Sequence, residues 1–492
     1  MRRLRWIDFI SINLFWLGLN IRNTAVGSIF MPVLVEHYAP GEWINTALSA
    51  MRTAGLIIAM LIQPAAGLLS DRSTSRFGRR RPYILIGTLL DLVFLAAIGL
   101  SWNYWTLLVA VLLIQFSSNV SHGPLQALIP DRVPEDQRGR ASAVKALFEL
   151  LGIFLVGISI AKIAAAGHMG WAIVVTAVGL FIAALVTLFA VKEEPLTEKP
   201  SVPLGPSMLR VLGMLAGIGV GALAGLVGGG LIGGIAGGIT WALTGKDTGI
   251  LVAVGLGGAI AMIIAVVVGV WAGSLATIGK EVRSHSSFVW WIINRLLFLA
   301  AVTSIQGFAI YFFMYSFKIE VDPATNLFGN LLSIVGIFTL ISALLAGWLA
   351  DRFSHKLLLA SSGILATLGG SLLLGTIWVP NEYLIYVAGS MLGVASGVFM
   401  TANWAMGTNL APPVEAGRYL GISNLAGAGA GMIGAGIGGP VADFLNQRIP
   451  GLGYFVIFAA YAVLFALSAV SLRFIHEPAK HPAGVQVAGV VS

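Results

Sequence analysis

The sequence predicts an all-α polytopic membrane protein: two pseudo-symmetric six-helix bundles with a glycine-rich transmembrane hairpin inserted between them, about 14 spans in all. Three observations carry that prediction. Charged residues are only 10% of the 492 and hydrophobic residues are 57%, whereas soluble domains carry roughly 25% charge. Apolar segments of bilayer-crossing length follow one another through most of the chain, and mean hydropathy is +0.90. Short polar motifs of the first half return in the second half.

Composition also excludes several classes. The net charge of +8 sits mostly in loops on one side, so it is not a nucleic-acid footprint. With no cysteine, disulfides and thiolate metal sites are ruled out. No nucleophile triad, metal-ligand cluster or phosphate loop stands out, so an enzyme is disfavoured and no cofactor or metal is called for. The N-terminal MRRLRW runs into the first apolar segment without a small-residue cleavage site, which reads as a retained helix.

The segments follow in order. Segment 1, about Trp6 to Pro32, carries Asn13, Asn20, Arg22 and Asn23, which lipid would not tolerate. Segment 2, about Trp43 to Leu69, carries Arg52, and segment 3, about Tyr83 to Leu100, carries Asp91. Segment 4, Trp105 to about Leu128, carries Gln115, Asn119 and His122. Segment 5, about Ala143 to Ala165, carries Glu149 and Lys162, and segment 6 runs from Trp171 to Val191. The polar linker KEEPLTEKPSVP then marks a boundary.

Two unusual segments follow, about Met208 to Leu243 and Ile250 to Thr277, joined by a TGKDTG turn. The first places Gly213, Gly217, Gly221, Gly225, Gly229, Gly233 and Gly237 at an unbroken four-residue period. Such a ridge permits close helix contact in lipid and offers a surface to a helix partner. Segment 7, Phe288 to about Phe317, carries Asn294, Arg295 and Gln306. Segment 8 ends at Gly347 to Arg352, and segment 9 runs from about Leu357 to Trp378. Segment 10, about Tyr383 to Thr408, carries Asn403 and Trp404. Segment 11, about Leu420 to Phe444, is glycine-rich, and segment 12 is Tyr454 to Arg473. The expected organisation is a first bundle over 1–192, a linker with the hairpin over 193–287, a second bundle over 288–476 and a tail over 477–492.

The basic residues test this layout. Of 29 Lys and Arg, four lie deep inside segments (Arg22, Arg52, Lys162, Arg295) and three in loops assigned outside (Lys246, Lys318, Arg448); the other 22, with Lys145 and Arg210 at segment ends, share the side of the N-terminus. The positive-inside rule makes that side, and both termini, cytoplasmic. The repeat supports the same layout. Gly67, Asp71 and Arg72 recur as Gly347, Asp351 and Arg352, while Pro134, Gly139 and Arg140 fall on Pro412, Gly417 and Arg418 at nearly the same offset. Duplicated six-helix halves place a solute site between them near the bilayer midplane.

Ionisable and amide groups inside spans mark a functional cavity by default. Arg22 and Asn23 on segment 1 and Arg295 on segment 7 are expected to face each other across it. Gln115, Asn119 and His122 fall on one stripe of segment 4. Gln306, Asn403 and Trp404 complete the candidate substrate-binding set. Amides and forked guanidiniums suit hydroxyl-rich or carboxylate ligands, although each amide equally suits a bridge between helices. Lys145 and Glu149, four residues apart, read as a local pair without a transport role. Asp91 neutralises either Arg52 or Arg22.

The stretch Gly67 to Pro82, GLLSDRSTSRFGRRRP, packs Arg72, Arg76, Arg79, Arg80 and Arg81 into one short loop around Asp71, which suggests a local charge lock. Gly67, one turn before Asp71, allows close helix contact. The stretch resembles the signature loop between helices 2 and 3 of the major facilitator superfamily, and SDRSTSRFGRRRPYI resembles its sucrose-transporter-like members. NVSHGPLQALIPD, Asn119 to Asp131, resembles plant sucrose carriers and their animal relatives, and also the glycoside–pentoside–hexuronide symporters. The resemblance implies the major facilitator fold and an alternating-access carrier of a sugar or glycoside, coupled to a proton or sodium ion. It further implies a cytoplasmic gate of Gly67, Asp71, Arg72, Arg79, Arg80, Arg81, Asp131 and Arg140, with Asp351, Arg352, Glu415 and Arg418 as second-half partners.

One departure stands out. The sucrose carriers place an acid where this chain has Gln115, and the symporters place acids on segment 2, where this chain has none. An amide does not exchange a proton, so coupling falls to His122, Asp91 or another group. The buried charges lean positive, which favours an anionic solute. The competing readings are an organic-anion or drug exporter or exchanger of the same fold, and a non-transporting assembly factor that uses the glycine ridge. The compact loops point to a bacterial inner membrane.

Overall fold

The computed structural model describes residues 3–39, 41–134, 137–191, 193, 205–279, 282, 285–410 and 416–476, with the backbone alone at 205–207, 278, 351, 416–428 and 430. Most of the linker and the tail therefore lie outside the described residues. Every regular element among the described residues is helical. Helix α1 covers 6–38, as Trp6–Ala25, a wider turn at Val26–Phe30 and Met31–Tyr38. It runs beyond the expected end at Pro32, because a proline in the first turn of a helical stretch costs no hydrogen bond that a wider turn has not already released. Then come α2 Ile44–Ser70, α3 Arg81–Gly99, α4 Tyr104–Arg132, α5 Arg138–Ala165 and α6 Met169–Ala190. Asn103 caps α4 by accepting from the Thr106 N–H at 2.9 Å.

Helices α7 Gly205–Thr244 and α8 Lys246–Ile278 form the inserted hairpin. The second group is α9 Ser286–Phe317, α10 Val321–Arg352, α11 His355–Gly375, α12 Glu382–Leu410, α13 Ala416–Asn446 and α14 Leu452–Ser471. Among the described residues, twelve helices are long and apolar enough to cross a membrane. α1 and α13 are not among the twelve. α1 carries Asp8, Arg22, Glu36 and three asparagines, which lower its apolarity.

Within the first group α1 packs on α5 and α6, α2 on α4, and α3 on α4 and α6. In the second, α10 packs on α12, α11 on α12 and α14, and α9 on α13 and α14. The groups meet mainly through α2 against α13 and α5 against α10. Laying the first group's order on the second exchanges those two contacts, as a pseudo-twofold relation requires. The α5–α10 contact is backbone-close: a Cβ at Gly157 would lie 2.6 Å from the Gly329 carbonyl.

The hairpin corrects two expectations. The turn is not the whole of TGKDTG; Gly245 alone, at φ 113°, reverses the chain and Lys246 already begins α8. The glycine ridge is not a free surface. Gly217 lies against Gly273, Gly221 against Gly269, Gly229 against Gly257 and Gly237 against Gly249, so its partner helix is α8 of the same chain. Small residues on both sides let the backbones touch, where dispersion acts at shortest range. The hairpin rests on α9, α13 and α14 and also touches α2.

Candidate functional site

The loop between α2 and α3 closes around Arg80, which is 3% exposed. Its guanidinium pairs with Asp71 and donates to Asp131 Oδ2 at 3.0 Å, Ser70 Oγ at 2.6 Å and the Gly67 carbonyl at 3.2 Å. Arg79 pairs with the other Asp131 oxygen at 2.5 Å. Glu193, just beyond α6, accepts from the backbone N–H groups of Arg80 and Arg81 at 2.8 and 3.2 Å. One buried fork thus ties the ends of α2, α3 and α4 with charge-assisted bonds.

Of the expected gate residues, Gly67, Asp71, Arg79, Arg80 and Asp131 come together here. Arg81 contributes its backbone N–H. Arg72 and Arg140 enter no ion pair among the described residues, and Arg140 is exposed. Arg352 lies 4.0 Å over the Trp348 ring. Glu415 lies outside the described residues, as do the side chains of Asp351 and Arg418. The tight glycine is Gly123 rather than Gly67. A Cβ at Gly123 would run into the Gln63 carbonyl and lie 2.9 Å from the Gly67 nitrogen, whereas one at Gly67 would make ordinary contact. Ser70 and Glu193 were missed, one an unremarked serine inside the arginine-loop stretch and the other in the linker.

The first group holds its own charge cluster. Arg22 on α1 is 1% exposed and Asp91 on α3 is fully buried. They pair at 3.2 Å, Nη2 to Oδ1. Arg22 also donates to the Ile114 carbonyl at 2.7 Å and to Asn23 Oδ1 at 2.5 Å. The Ser117 hydroxyl donates to the same Asp91 Oδ1. Asp91 Oδ2 and Arg22 Nε are buried without a hydrogen-bond partner. This settles the choice left open by the sequence. Arg52 instead reaches across to α9, donating to the Thr303 carbonyl at 3.3 Å and filling the space left by Gly307.

The α4 stripe divides. Asn119 donates to the Gln115 carbonyl at 2.7 Å, a bond within its own helix. The Gln115 side chain fills a notch left by Gly55 of α2. His122 stands edge-on to Trp16, with ring centroids 5.1 Å apart at 80°. Lys145 pairs with Glu149 at 3.3 Å, as the spacing predicts, and its Nζ also sits 4.0 Å over the Trp16 ring. The pair is therefore part of an aromatic cluster spanning α1, α4 and α5. Trp16 was missed because a tryptophan in an apolar segment gives no signal of its own.

In the second group Arg295 is 8% exposed. It donates to Asn403 Oδ1 at 3.0 Å and lies 5.5 Å from the Trp404 ring centre. Asn403 donates in turn to Asn294 Oδ1 at 3.1 Å, and Asn294 to the Ser468 carbonyl at 2.8 Å. Among the described residues no carboxylate pairs with Arg295. Gln306 is not part of this cluster; it lines a separate cavity of about 40 Å³ beside Val302, Phe328, Leu332 and Ser396. Nor do Arg22 and Arg295 reach toward each other. The Arg22 guanidinium turns into its own group because Asp91 lies there.

At the opposite end from the arginine loop, the two groups are bolted together. Asp443 of α13 accepts from the backbone N–H of Asn45 at 3.2 Å and of Thr46 at 2.6 Å, capping the start of α2. Asn45 Nδ2 donates to the same carboxylate at 2.7 Å and to Tyr454 at 3.3 Å. Tyr311 donates to the Pro32 carbonyl at 2.7 Å, joining α9 to α1. Beside this bolt opens a cavity of about 430 Å³, lined by Glu36, Asn45, Tyr311, Tyr315, Asp443 and Tyr454 among others. The sequence reading passed over Asp443, an acid close to the end of a glycine-rich segment.

The model of the Major Facilitator Superfamily matches residues 16–302 and 296–489. The chain belongs to that superfamily. Among its curated relatives are sucrose transport protein SUC3 of Arabidopsis thaliana, 31% identical over 186 residues, and proton-associated sugar transporter A of Homo sapiens, 35% identical over 183 residues. Those matches cover 30% and 31% of this chain, and 31% and 24% of the relatives' own lengths. Among solved structures, a peptide transporter POT superposes with TM-score 0.65 at 14% identity, covering 97% of this chain and 98% of the other. A D-xylose-proton symporter superposes with TM-score 0.64 at 16% identity, covering 96% and 99%. This superfamily member is thus a multi-pass membrane protein with its family's fold across nearly its whole length.

Proposed function

We propose that the chain is a secondary active transporter that moves a small polar solute, a sugar or glycoside, by alternating access, coupled to a proton or sodium ion. The observation that carries this reading is that, among the described residues, the polar contacts between the two groups lie toward one end, at Asp443–Asn45, Tyr311–Pro32 and, deeper, Arg52–Thr303, while the Arg80 fork at the other end bonds to Gly67, Ser70, Asp71 and Asp131 of the first group. Such an arrangement suits a carrier closed at one mouth, with residues 1–192 and 288–476 as its two moving halves. The positive-inside rule puts the arginine loop and both termini in the cytoplasm. The closed mouth is then the external one, and the compact loops fit a bacterial inner membrane. The sugar assignment draws on the sugar-transporter names of the relatives. Arg22, Asn23, Gln115, Asn119, His122, Arg295, Asn403 and Trp404 are the residues we assign to the solute path.

The test is counterflow in proteoliposomes containing the purified chain and unlabelled sucrose. Labelled sucrose should enter faster than into empty liposomes, and Arg295→Gln should abolish that excess. Equal entry with and without the protein, for sucrose and for a panel of other glycosides, would end the sugar reading. A second reading keeps the carrier and makes the solute anionic. It is favoured by Arg295 and Arg52, which lack a carboxylate partner among the described residues. Labelled organic acids in the same counterflow assay separate the two.

A further inference from the structure

We propose that Asp91 is the proton-carrying group of this transporter and that Arg22 is the cation it releases on protonation; the proposal rests on the transport reading above. Three features of the site carry it. Asp91 is fully buried in mid-helix, where a charged carboxylate persists only with compensation. Its compensation is lopsided: Arg22 and Ser117 both bind Oδ1, while Oδ2 is buried with no donor at all. A buried carboxylate with donors on one oxygen only is poorly compensated, and a proton on Oδ2 removes its charge. Arg22, for its part, has alternative acceptors already in place at the Ile114 carbonyl and Asn23 Oδ1, so it stays bound in α1 and α4 once the carboxylate is neutral.

The neighbourhood leaves few rivals. Arg22 from α1 is the charged side chain that touches Asp91, and Ser117 from α4 is its other polar contact. Helix α6, which also packs on α3, contains no ionisable residue between Met169 and Ala190. His122, farther along α4, faces Trp16 and lies near the Lys145 cation. Gln115 offers no titratable group. The proton balance is simple: a proton taken from the external solution binds Asp91 Oδ2 to give the neutral acid, the carrier reorients, and the same proton leaves to the cytoplasm as the Arg22–Asp91 pair re-forms. While Asp91 is neutral, the one Nη2 hydrogen of Arg22 that the carboxylate held is free for an oxygen of the solute, the other staying on the Ile114 carbonyl.

The test compares the full-length chain with Asp91→Asn and Asp91→Glu in proteoliposomes, using labelled sucrose under an imposed inward proton gradient. The native chain should accumulate sucrose above its external level. Asp91→Asn should lose accumulation while keeping a measurable counterflow, and Asp91→Glu should recover part of the accumulation. The double variant Arg22→Gln/Asp91→Asn, which leaves no lone buried charge, covers the case where the single variant fails to fold. A second readout needs no solute: infrared spectra of the purified protein at acid and neutral pH should show the carbonyl stretch of a protonated carboxylic acid, lost in both asparagine variants. Accumulation by Asp91→Asn, or an infrared band unchanged by it, overturns the assignment. A native chain that moves no sugar yet shows the Asp91 band overturns the sugar reading and leaves Asp91 as the proton site.

Discussion

Arg22 and Arg295 are both buried guanidiniums on the first helix of their groups, yet their surroundings differ in kind. Arg22 has a carboxylate, an amide and a carbonyl around it. Arg295 has an amide oxygen and the face of a tryptophan, and among the described residues no carboxylate. One charge is neutralised inside the protein, the other only solvated by dipoles. The difference teaches how a duplicated fold divides labour. A neutralised pair is suited to switching, because one proton unbalances it. An uncompensated cation is suited to holding something that arrives with oxygen atoms to offer.

The largest effect should come from breaking the pair. Asp91→Ala leaves Arg22 buried and alone, and should cost about 3–5 kcal/mol, seen as a large fall in the thermal unfolding temperature in detergent. Arg295→Gln should differ sharply: it removes a buried charge that has no counter-ion among the described residues, so the unfolding temperature should hold or rise while solute counterflow disappears. If both substitutions destabilise equally, the contrast between the two arginines is wrong. Asn403→Ala removes the acceptor from Arg295 and should cost about 1–3 kcal/mol, with the polar chain to Asn294 and Ser468 also disturbed. Trp404→Leu removes only the cation–π contact and should cost about 0.5–1 kcal/mol. The smallest change should be Lys145→Met, whose half-exposed pair with Glu149 contributes about 0.2–1 kcal/mol, with the Trp16 contact kept apolar.

What could be read from the sequence follows from distance along the chain. The helices, their order and the glycine ridge are periodic signals, and the structure reproduces these helices to within about six residues at their ends, while among the described residues twelve of the fourteen are long and apolar enough to span. The Lys145–Glu149 pair was legible because both residues sit on one helix face. The Arg22–Asp91 pair was only half legible, since three helices must meet before the partner of Asp91 is chosen. Arg22 was expected to point across the molecule and turns inward, because spacing says nothing of side-chain direction. Asp443 escaped altogether. Its role is to cap α2 from another helix, and a capping bond between elements distant in sequence leaves no local pattern. The ridge itself was read correctly and given the wrong occupant, since its complement of glycine and alanine in α8 lies just past the turn.

That hairpin has a mechanical consequence. With 40 residues, α7 is about 60 Å long at 1.5 Å per residue. A bilayer's hydrocarbon layer is only about 30 Å thick. Leu212, Leu223, Leu231, Ile239 and Leu243 all point outward along it, so greasy surface continues far past what an upright rod could hide. The rod must therefore lean steeply or thicken the lipid around it, which makes membrane thickness an external load on the helices it rests against.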